Sequence, residues 1–274
     1  MRIDERIERH YPELGPQERK AADTLLDRLG DLAVYNAAEL AELSGVSKAT
    51  MSRLFRRLGF ADYNEVKEHI RSLRSSGVPL AAQGADGGLP QHLALEHQNL
   101  KRLFEGLEDA RLQEATRLLA GARNVLVLGF RNSFPLALHL RQQLLQCRPA
   151  VALAPQPGQS VGEELAGMGE ADVVVLLGFR RRPEGFHSAL KAAAATGAST
   201  ILIADPSARW LAAEASIWIE CPLEGSAAFD SYATAMSLMS VLANGVLAGR
   251  GRPGRDRVRE ITGVYDSLRE IERR

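Results

Sequence analysis

Arginines follow two apolar runs in the middle of the chain. Three consecutive arginines occupy positions 180–182, and a fourth, Arg131, follows an earlier apolar run. A planar guanidinium group holds a carboxylate or a phosphate through two parallel hydrogen bonds, so clustered arginines are suited to binding a small anion. We predict an anionic effector held by Arg131 together with Arg180 or Arg182. The alternative is that the arginines point outward or pair, as solvated surface charge, with Glu163, Glu164 and Glu184.

A second concentration of polar and basic residues lies in the first quarter of the chain. Residues Ala37 to Gly59 carry apolar side chains at helical spacing on both sides of Ser44-Gly45-Val46, which predicts two short helices joined by a tight turn. Ser47 is a candidate N-cap of the second helix. A basic face at the start of such a helix is typical of a DNA-binding helix-turn-helix, although an ordinary helical hairpin with a solvated basic side has the same pattern. The predicted DNA-binding residues are Ser47, Lys48, Ala49, Thr50, Ser52, Arg53, Arg56 and Arg57.

This hairpin needs neighbouring helices to form a core, because two short helices bury too little apolar surface to fold alone. Helices are predicted from about Gln17 to Leu29, after Pro16, and from about Tyr63 to Leu73. The Gly- and Pro-rich stretch that follows predicts a linker. We therefore divide the chain into an all-α helix-turn-helix domain at 1–76, a linker at 77–90, an effector-binding domain at 91–250 and a C-terminal helix at 251–274.

The chain changes character after residue 123, where apolar runs begin to alternate with helical patterns. The runs are VLVLGF, VALA, VVVLLGF, STILIAD and SIWIECP. Apolar strands separated by helices predict a parallel sheet covered on both faces, the doubly wound α/β class. Ser133 is predicted to cap the helix after the first strand. Ligands of such sheets bind beyond the carboxyl ends of the strands, which is where both arginine stretches fall.

Composition limits the function further. The chain has 274 residues and a formal net charge of zero, so affinity for DNA must come from a local patch, and a dimer suits that better than a monomer. The cysteines Cys147 and Cys221 have no metal-like or redox-like spacing, and His92 and His97 are not spaced as ligands on one helical face. We predict no metal, no cofactor and no membrane segment, and expect a cytoplasmic protein.

The order of these parts resembles that of the RpiR-type bacterial transcriptional regulators. The resemblance rests on ELAELSGVSKATMSRLFRRLGF followed by YNEVKE, and on VLVLGFRNS, DVVVLLGF and TGASTILIAD. It implies a DNA-binding head joined to a sugar isomerase (SIS) domain that senses a metabolite, commonly a phosphosugar, in a dimeric or tetrameric repressor or activator. Two heads would then present their second helices to successive major grooves of a palindromic operator in double-stranded DNA.

One departure from the family pattern concerns the ligand. Phosphosugar-binding SIS domains usually carry S-x-S-G-x-T after the strand that corresponds to VVVLLGF, whereas this chain has Gly178, Arg180 and Pro183 at the hydroxyl positions and retains Ser133 in the earlier loop. The arginines favour a carboxylate over a phosphate. The family also places ligand contacts at Glu224 and Ser231, although Ser231 is equally suited to capping a helix predicted over Tyr232 to Leu247. The predicted effector-binding residues are Arg131, Asn132, Ser133, Phe179, Arg180, Arg181, Arg182, Glu224 and Ser231.

Two other functions remain open. An SIS domain without DNA binding can be a sugar-phosphate isomerase, for which Glu224 or His187 is the candidate general base. The DNA-binding head and the missing hydroxyls argue against catalysis, so we predict a regulator without catalytic residues. The third function is a helical scaffold whose head binds protein, and it predicts DNA binding that is absent or insensitive to salt.

Overall fold

A computed structural model describes residues 1–29, 32, 35–75, 88–225 and 229–272. The chain divides into two compact units. The first unit comprises Met1–Glu96 and Glu224–Ser231, and the second comprises His97–Leu223 and Tyr232–Arg274.

The first unit is helical. Its helices are α1 (Ile3–His10), α2 (Pro16–Asp27), α3 (Ala37–Leu43), α4 (Lys48–Arg57) and α5 (Tyr63–Ser75). The predicted helices are therefore present with slightly shifted ends, but the sequence does not predict α1, since Ile3 and Ile7 are its only apolar residues. Both isoleucines are fully buried in the core that these helices share. An apolar pair at i and i+4 is enough to seat a two-turn helix once other helices supply the rest of the core.

The second unit is built on a parallel sheet whose order, among the described residues, is β2-β1-β3-β4-β5. The strands are β1 (Val125–Gly129), β2 (Val151–Ala154), β3 (Val173–Leu177), β4 (Ser199–Ala204) and β5 (Ile217–Glu220). Every residue of β1 and β3 is buried. This is the pattern expected of strands covered on both faces, and the predicted doubly wound class is confirmed.

Helices cover both faces of this sheet. After α6 (Gly88–Gly106), one face is covered by α7 (Asp109–Gly121), α8 (Ser133–Cys147) and α11 (Ala233–Leu268). The opposite face is covered by α9 (Val161–Leu165), α10 (Phe186–Ala195) and a 3-10 segment (Pro206–Glu214). Successive side chains of a strand point to opposite faces, so Val125 and Val127 join the first layer while Leu126 and Leu128 join the second.

Several helix ends differ from the predictions. Ser133 is the first residue of α8 and not its N-cap, which is Asn132. Ser231 likewise does not cap the last helix, whose N-cap is Tyr232. That helix continues as α11 through a kink at Gly251, where φ is 57° and ψ is −126°, so the predicted C-terminal helix is joined to it directly. Glycine adopts a positive φ without a side-chain clash, so the helix can bend at this one residue and then resume.

Most of the predicted linker at 77–90 lies outside the described residues, and α6 begins at Gly88. In the described part of the chain, no helix is both long and apolar enough to cross a membrane.

The contact between α7 and α11 depends on a glycine. A Cβ atom at Gly245 would lie 2.5 Å from Cγ2 of Thr116. Thr116 is held in place because its hydroxyl donates to the carbonyls of Leu112 at 3.0 Å and Gln113 at 2.9 Å. We expect Gly245→Ala to lower the stability of the second unit by about 1–3 kcal/mol, because overpacking forces the two helices apart.

Gly263→Ala is the matched control on the same helix, since a Cβ at Gly263 would have nothing within 4 Å. This variant should raise stability by up to about 1 kcal/mol through helix propensity. Both tryptophans of the chain, Trp210 and Trp218, belong to the second unit, so urea unfolding followed by tryptophan fluorescence reports on that unit. Equal midpoints for the two variants would contradict close packing at Gly245.

Candidate DNA-binding and effector sites

The turn between α3 and α4 is fixed by its own hydrogen bonds. Gly45 has a φ of 62°, a conformation that glycine adopts readily. The amide of Val46 then donates to the carbonyl of Ala41 at 2.9 Å. Ser47 is the N-cap of α4, as predicted, and its hydroxyl accepts from the amide of Thr50 at 3.1 Å. The start of α4 is thus held at a set angle to α3, the arrangement that a helix-turn-helix requires.

The predicted DNA-binding side chains divide into two groups. Those that are exposed are Ser47, Lys48, Ala49, Ser52, Arg53, Arg56 and Arg57. Thr50 is only 6% exposed. Its hydroxyl lies 2.9 Å from that of Ser47 and accepts from the guanidinium of Arg53 at 3.3 Å. Thr50 therefore shapes the first turn of α4 and orients its neighbours, and offers little surface of its own to DNA.

Arg57, at the end of α4, is engaged with α2 and the segment before it. Its Nη1 donates to Oε2 of Glu18 at 2.9 Å and to the carbonyl of Glu13 at 3.1 Å. Among the described residues, Arg56 donates a hydrogen bond only within its own helix, from Nε to the carbonyl of Ser52 at 3.3 Å. The two adjacent arginines, which the sequence treats alike, thus have different surroundings.

The two arginine loops of the second unit begin at neighbouring strands. β1 and β3 lie side by side, and the helices that follow them, α8 and α10, cover opposite faces of the sheet. Connections that diverge in this way open a crevice at the carboxyl ends of the strands, where ligands bind in sheets of this order. The hydroxyl of Ser133 accepts from the amide of Phe179 at 3.3 Å and so ties the first loop to the second.

A buried carboxylate organises the loop after β3. Asp205 follows β4 and is fully buried. Its Oδ1 accepts from the amide of Arg180 at 2.9 Å and from the guanidinium of Arg182 at 2.8 Å. Arg182 also donates to the carbonyl of Gly178 and to the hydroxyl of Ser207, both at 2.7 Å. The guanidinium of Arg182 is therefore held inside the loop by its own neighbours.

Sequence reasoning missed Asp205 and Ser207 as organisers of the site. The available signal was an aspartate directly after an apolar strand, at the sheet edge where ligands bind. It also missed Arg6 of α1, whose guanidinium donates to the carbonyls of Leu58 and Gly59 just after α4, because α1 was not predicted.

The other predicted arginines are placed differently from Arg182. The side chains of Arg131 and Arg181 are exposed, and Arg180 is partly buried. Arg131 adopts a φ of 53°, which is uncommon for a residue with a side chain. Within the described ranges, neither Arg131 nor Arg181 forms an ion pair with the glutamates of the alternative, Glu163, Glu164 and Glu184.

The remaining predicted effector residues have distinct positions. Phe179 is buried, and its ring packs edge-on against Tyr232 with centroids 5.8 Å apart, while Asn132 is exposed beside Arg131. Glu224 and Ser231 are partly buried and belong to the first unit, whereas the arginine loops belong to the second. Residues 226–228, between them, lie outside the described ranges.

His187, a candidate base under the isomerase alternative, lies on α10. Its Nε2 is 2.7 Å from Oε1 of Glu214, and its ring packs edge-on against Trp210 with centroids 4.9 Å apart. Both contacts attach His187 to the 3-10 segment that flanks the sheet. Within the part of the chain that the structure describes, no group of three or more His, Cys, Asp or Glu side chains could hold a metal ion.

Comparison with known proteins assigns a class to each of two parts of the chain. A family model described as "Helix-turn-helix domain, rpiR family" matches residues 1–76, and one described as "SIS domain" matches residues 118–245. Among curated relatives, the HTH-type transcriptional regulator HexR of Pseudomonas aeruginosa is 25% identical over 258 residues, which is 90% of each chain. An uncharacterized HTH-type transcriptional regulator of Providencia stuartii is 22% identical over 196 residues, or 68% of each chain.

Solved structures show the same fold. The sugar isomerase domain of an RpiR transcription factor from Sphaerobacter thermophilus superposes with a TM-score of 0.59 at 19% identity, and the match covers 64% of this chain and 98% of that one. The NanR protein of Vibrio vulnificus, complexed with ManNAc-6P, superposes with a TM-score of 0.57 at 16% identity over 97% of this chain and 99% of that one.

A helix-turn-helix head followed by an SIS domain defines a DNA-binding transcriptional regulator. The chain belongs to the RpiR family of such regulators.

The role of Asp205 can be tested through stability. The side chains of Asp205 and Arg182 are 1% and 17% exposed. Asp205→Ala would therefore leave a largely buried guanidinium without its carboxylate. We expect a loss of about 3–5 kcal/mol in the second unit, the range found when one partner of a buried pair is removed. Tryptophan fluorescence during urea unfolding measures it.

Glu114→Ala is the matched control for Asp205→Ala. It removes the acidic partner of Arg117 in an exposed pair of the same unit, with side chains 46% and 68% exposed. A change below about 1 kcal/mol is expected for such a pair. If both variants unfolded at the same urea concentration, Asp205 would not organise the loop.

Proposed function

We propose that this regulator binds operator DNA through α4 and responds to a small anionic metabolite bound beyond the carboxyl ends of β1 and β3. The observation that carries the effector site is the joining of two loops at the centre of the sheet, by Ser133 and Phe179 at 3.3 Å, with exposed Arg131 and Arg181 on them.

For DNA, the exposed residues of the first turns of α4 supply the proposed contacts. Side chains near the start of a recognition helix approach base edges, which suits Ser47, Lys48, Ala49, Ser52 and Arg53, and Arg56 lies a turn further along toward the phosphates. The net charge of the whole chain is zero, so attraction to DNA depends on this local surface. A homodimer, or a homotetramer, would double the phosphate contacts and match the two halves of a palindromic operator.

For the effector, the proposed cationic groups are Arg131 and Arg181. The charge of Arg182 is already balanced by Asp205, so Arg182 acts by fixing the loop from which its neighbour projects. Ser133 is only 3% exposed, so it contributes by tying the two loops together, through the hydrogen bond that it accepts from the amide of Phe179. Both a phosphosugar and a carboxylate suit this set of donors.

The two effector classes have separate support. The fold neighbour NanR was solved with ManNAc-6P, which favours a phosphosugar. The usual hydroxyl positions hold Gly178, Arg180 and Pro183 in a loop of three arginines, which favours a carboxylate. In either case the effector changes DNA occupancy only if it binds one arrangement of the two heads more tightly than another.

The DNA surface is tested by the salt dependence of binding. Log affinity falls linearly with log salt concentration, and each lost phosphate contact makes this fall less steep by about 0.9. We therefore expect Arg56→Gln to make the slope less steep by about that amount for each protomer's contact, measured by fluorescence anisotropy with a random-sequence duplex. Arg117→Gln, an exposed arginine of the second unit, is the control and should leave the slope unchanged. An unchanged slope for Arg56→Gln would contradict the phosphate contact proposed for α4.

The effector site is tested by ligand-induced thermal shifts with a panel of sugar phosphates and organic acids. A compound that stabilises the wild-type protein should lose affinity by about 10- to 100-fold for each of Arg131→Ala and Arg181→Ala, because each change removes a hydrogen bond to a charged group. Arg209→Ala removes another exposed arginine of the same unit and should preserve the shift. A shift retained in the Arg131→Ala/Arg181→Ala double variant would rule out this site. The panel member that binds decides between phosphate and carboxylate.

A further inference from the structure

Two helices outside the proposed DNA-binding surface, α2 and α1, form hydrogen bonds with the end of α4. On one side, the guanidinium of Arg57 reaches Glu18 of α2 at 2.9 Å and the carbonyl of Glu13 at 3.1 Å. Glu18 is itself oriented, because its Oε2 also accepts from the amide of Gly15 at 3.1 Å. Its side chain is 18% exposed, against 41% for Arg57. A carboxylate that is already held by the start of its own helix fixes its arginine partner with little further loss of entropy.

On the other side, Arg6 of α1 reaches the residues directly after α4. Its Nη1 donates to the carbonyls of Leu58 at 2.8 Å and Gly59 at 3.2 Å. Its guanidinium carbon also lies 4.4 Å from the ring centroid of Phe60. A cation at the C-terminal end of a helix satisfies carbonyls that have no partner within the helix, and it complements the helix dipole. Arg6 thus ties α1 to the end of α4.

We propose that Arg6, Glu18 and Arg57 form a clamp that sets the orientation in which α4 is presented to the DNA groove. Arg57 is then a positioning residue and not a phosphate contact. Its charge is balanced by Glu18, and moving it to a phosphate would break its link to α2. Arg53 and Arg56 donate only to atoms of α4 among the described residues, so their charges are available to DNA without breaking any link between helices.

This inference rests on the proposed use of α4 in DNA binding. Its first test compares neighbouring arginines on a random-sequence duplex at several salt concentrations. We expect Arg56→Gln to make the fall of log affinity with log salt concentration less steep by about 0.9 for each contact. Arg57→Gln should leave this slope unchanged. An equal change of slope for Arg57→Gln would overturn the clamp, since Arg57 would then touch a phosphate. If Arg56→Gln did not change the slope, the proposed DNA surface itself would fail.

The second test separates positioning from simple stabilisation. An operator selected from a random pool of duplexes is compared with the random-sequence duplex, and the ratio of the two affinities measures sequence discrimination. A tilted α4 loses base contacts but keeps most phosphate attraction, so Glu18→Gln should lower discrimination by about tenfold or more without weakening random-duplex binding. A residue that only stabilises the fold would lower the thermal midpoint and leave discrimination unchanged, and that result would overturn the proposal.

A charge-reversed double variant gives the matched control. Glu18→Arg together with Arg57→Glu restores an opposite-charge pair between the same two positions. We expect the double variant to recover at least half of the discrimination, on a logarithmic scale, that the single Arg57→Glu variant loses. If Arg57 instead bound a phosphate, the new glutamate would repel DNA, and the double variant would bind as poorly as Arg57→Glu alone.

Discussion

The carboxylate of Asp205 determines which positive charges remain available at the carboxyl edge of the sheet. It lies fully buried at the end of β4 and receives both an amide proton of the arginine loop and the guanidinium of Arg182. A buried carboxylate needs such partners, since desolvation without them costs several kcal/mol. Once they are in place, the loop has a fixed path. Arg181, the residue between the two that Asp205 holds, remains exposed.

A second buried aspartate, Asp172, has a structural role at the amino ends of the strands, where no ligand is expected. Asp172 precedes β3 and accepts from the guanidinium of Arg123 at 2.6 and 3.0 Å and from the amide of Asn124 at 3.0 Å. The hydrogen bonds from Arg123, followed by those from Asn124 and Gly169, lower the pKa of Asp172 to about 2. These contacts link the residues before β1 to the start of β3. Asp205 and Asp172 therefore tie together segments that flank neighbouring strands, one at each end of the sheet.

The sequence predicts the parts of this molecule that depend on periodicity. Strands such as VVVLL, in which every residue is apolar, can only lie inside a covered sheet, and the spacing of Met51, Leu54, Phe55 and Leu58 requires a helix with one buried face. The turn at Gly45 and the cap at Ser47 follow from local chemistry in the same way. Helix α1 escapes prediction because most of its residues are charged, and its two buried isoleucines gain their partners from distant parts of the chain.

The roles of the individual arginines depend on contacts that are remote in sequence. Arg182 is fixed by Asp205, 23 residues away, and Arg57 by Glu18, 39 residues away. In each case an adjacent arginine, Arg181 or Arg56, has no such acidic partner within the described ranges. In α4 consecutive residues point about 100° apart, so Arg57 can reach α2 while Arg56 does not, whereas Arg181 and Arg182 lie in the loop before α10. In both units one of two adjacent arginines is paired with a carboxylate that is remote in sequence and its neighbour is not, and only the fold decides which is which.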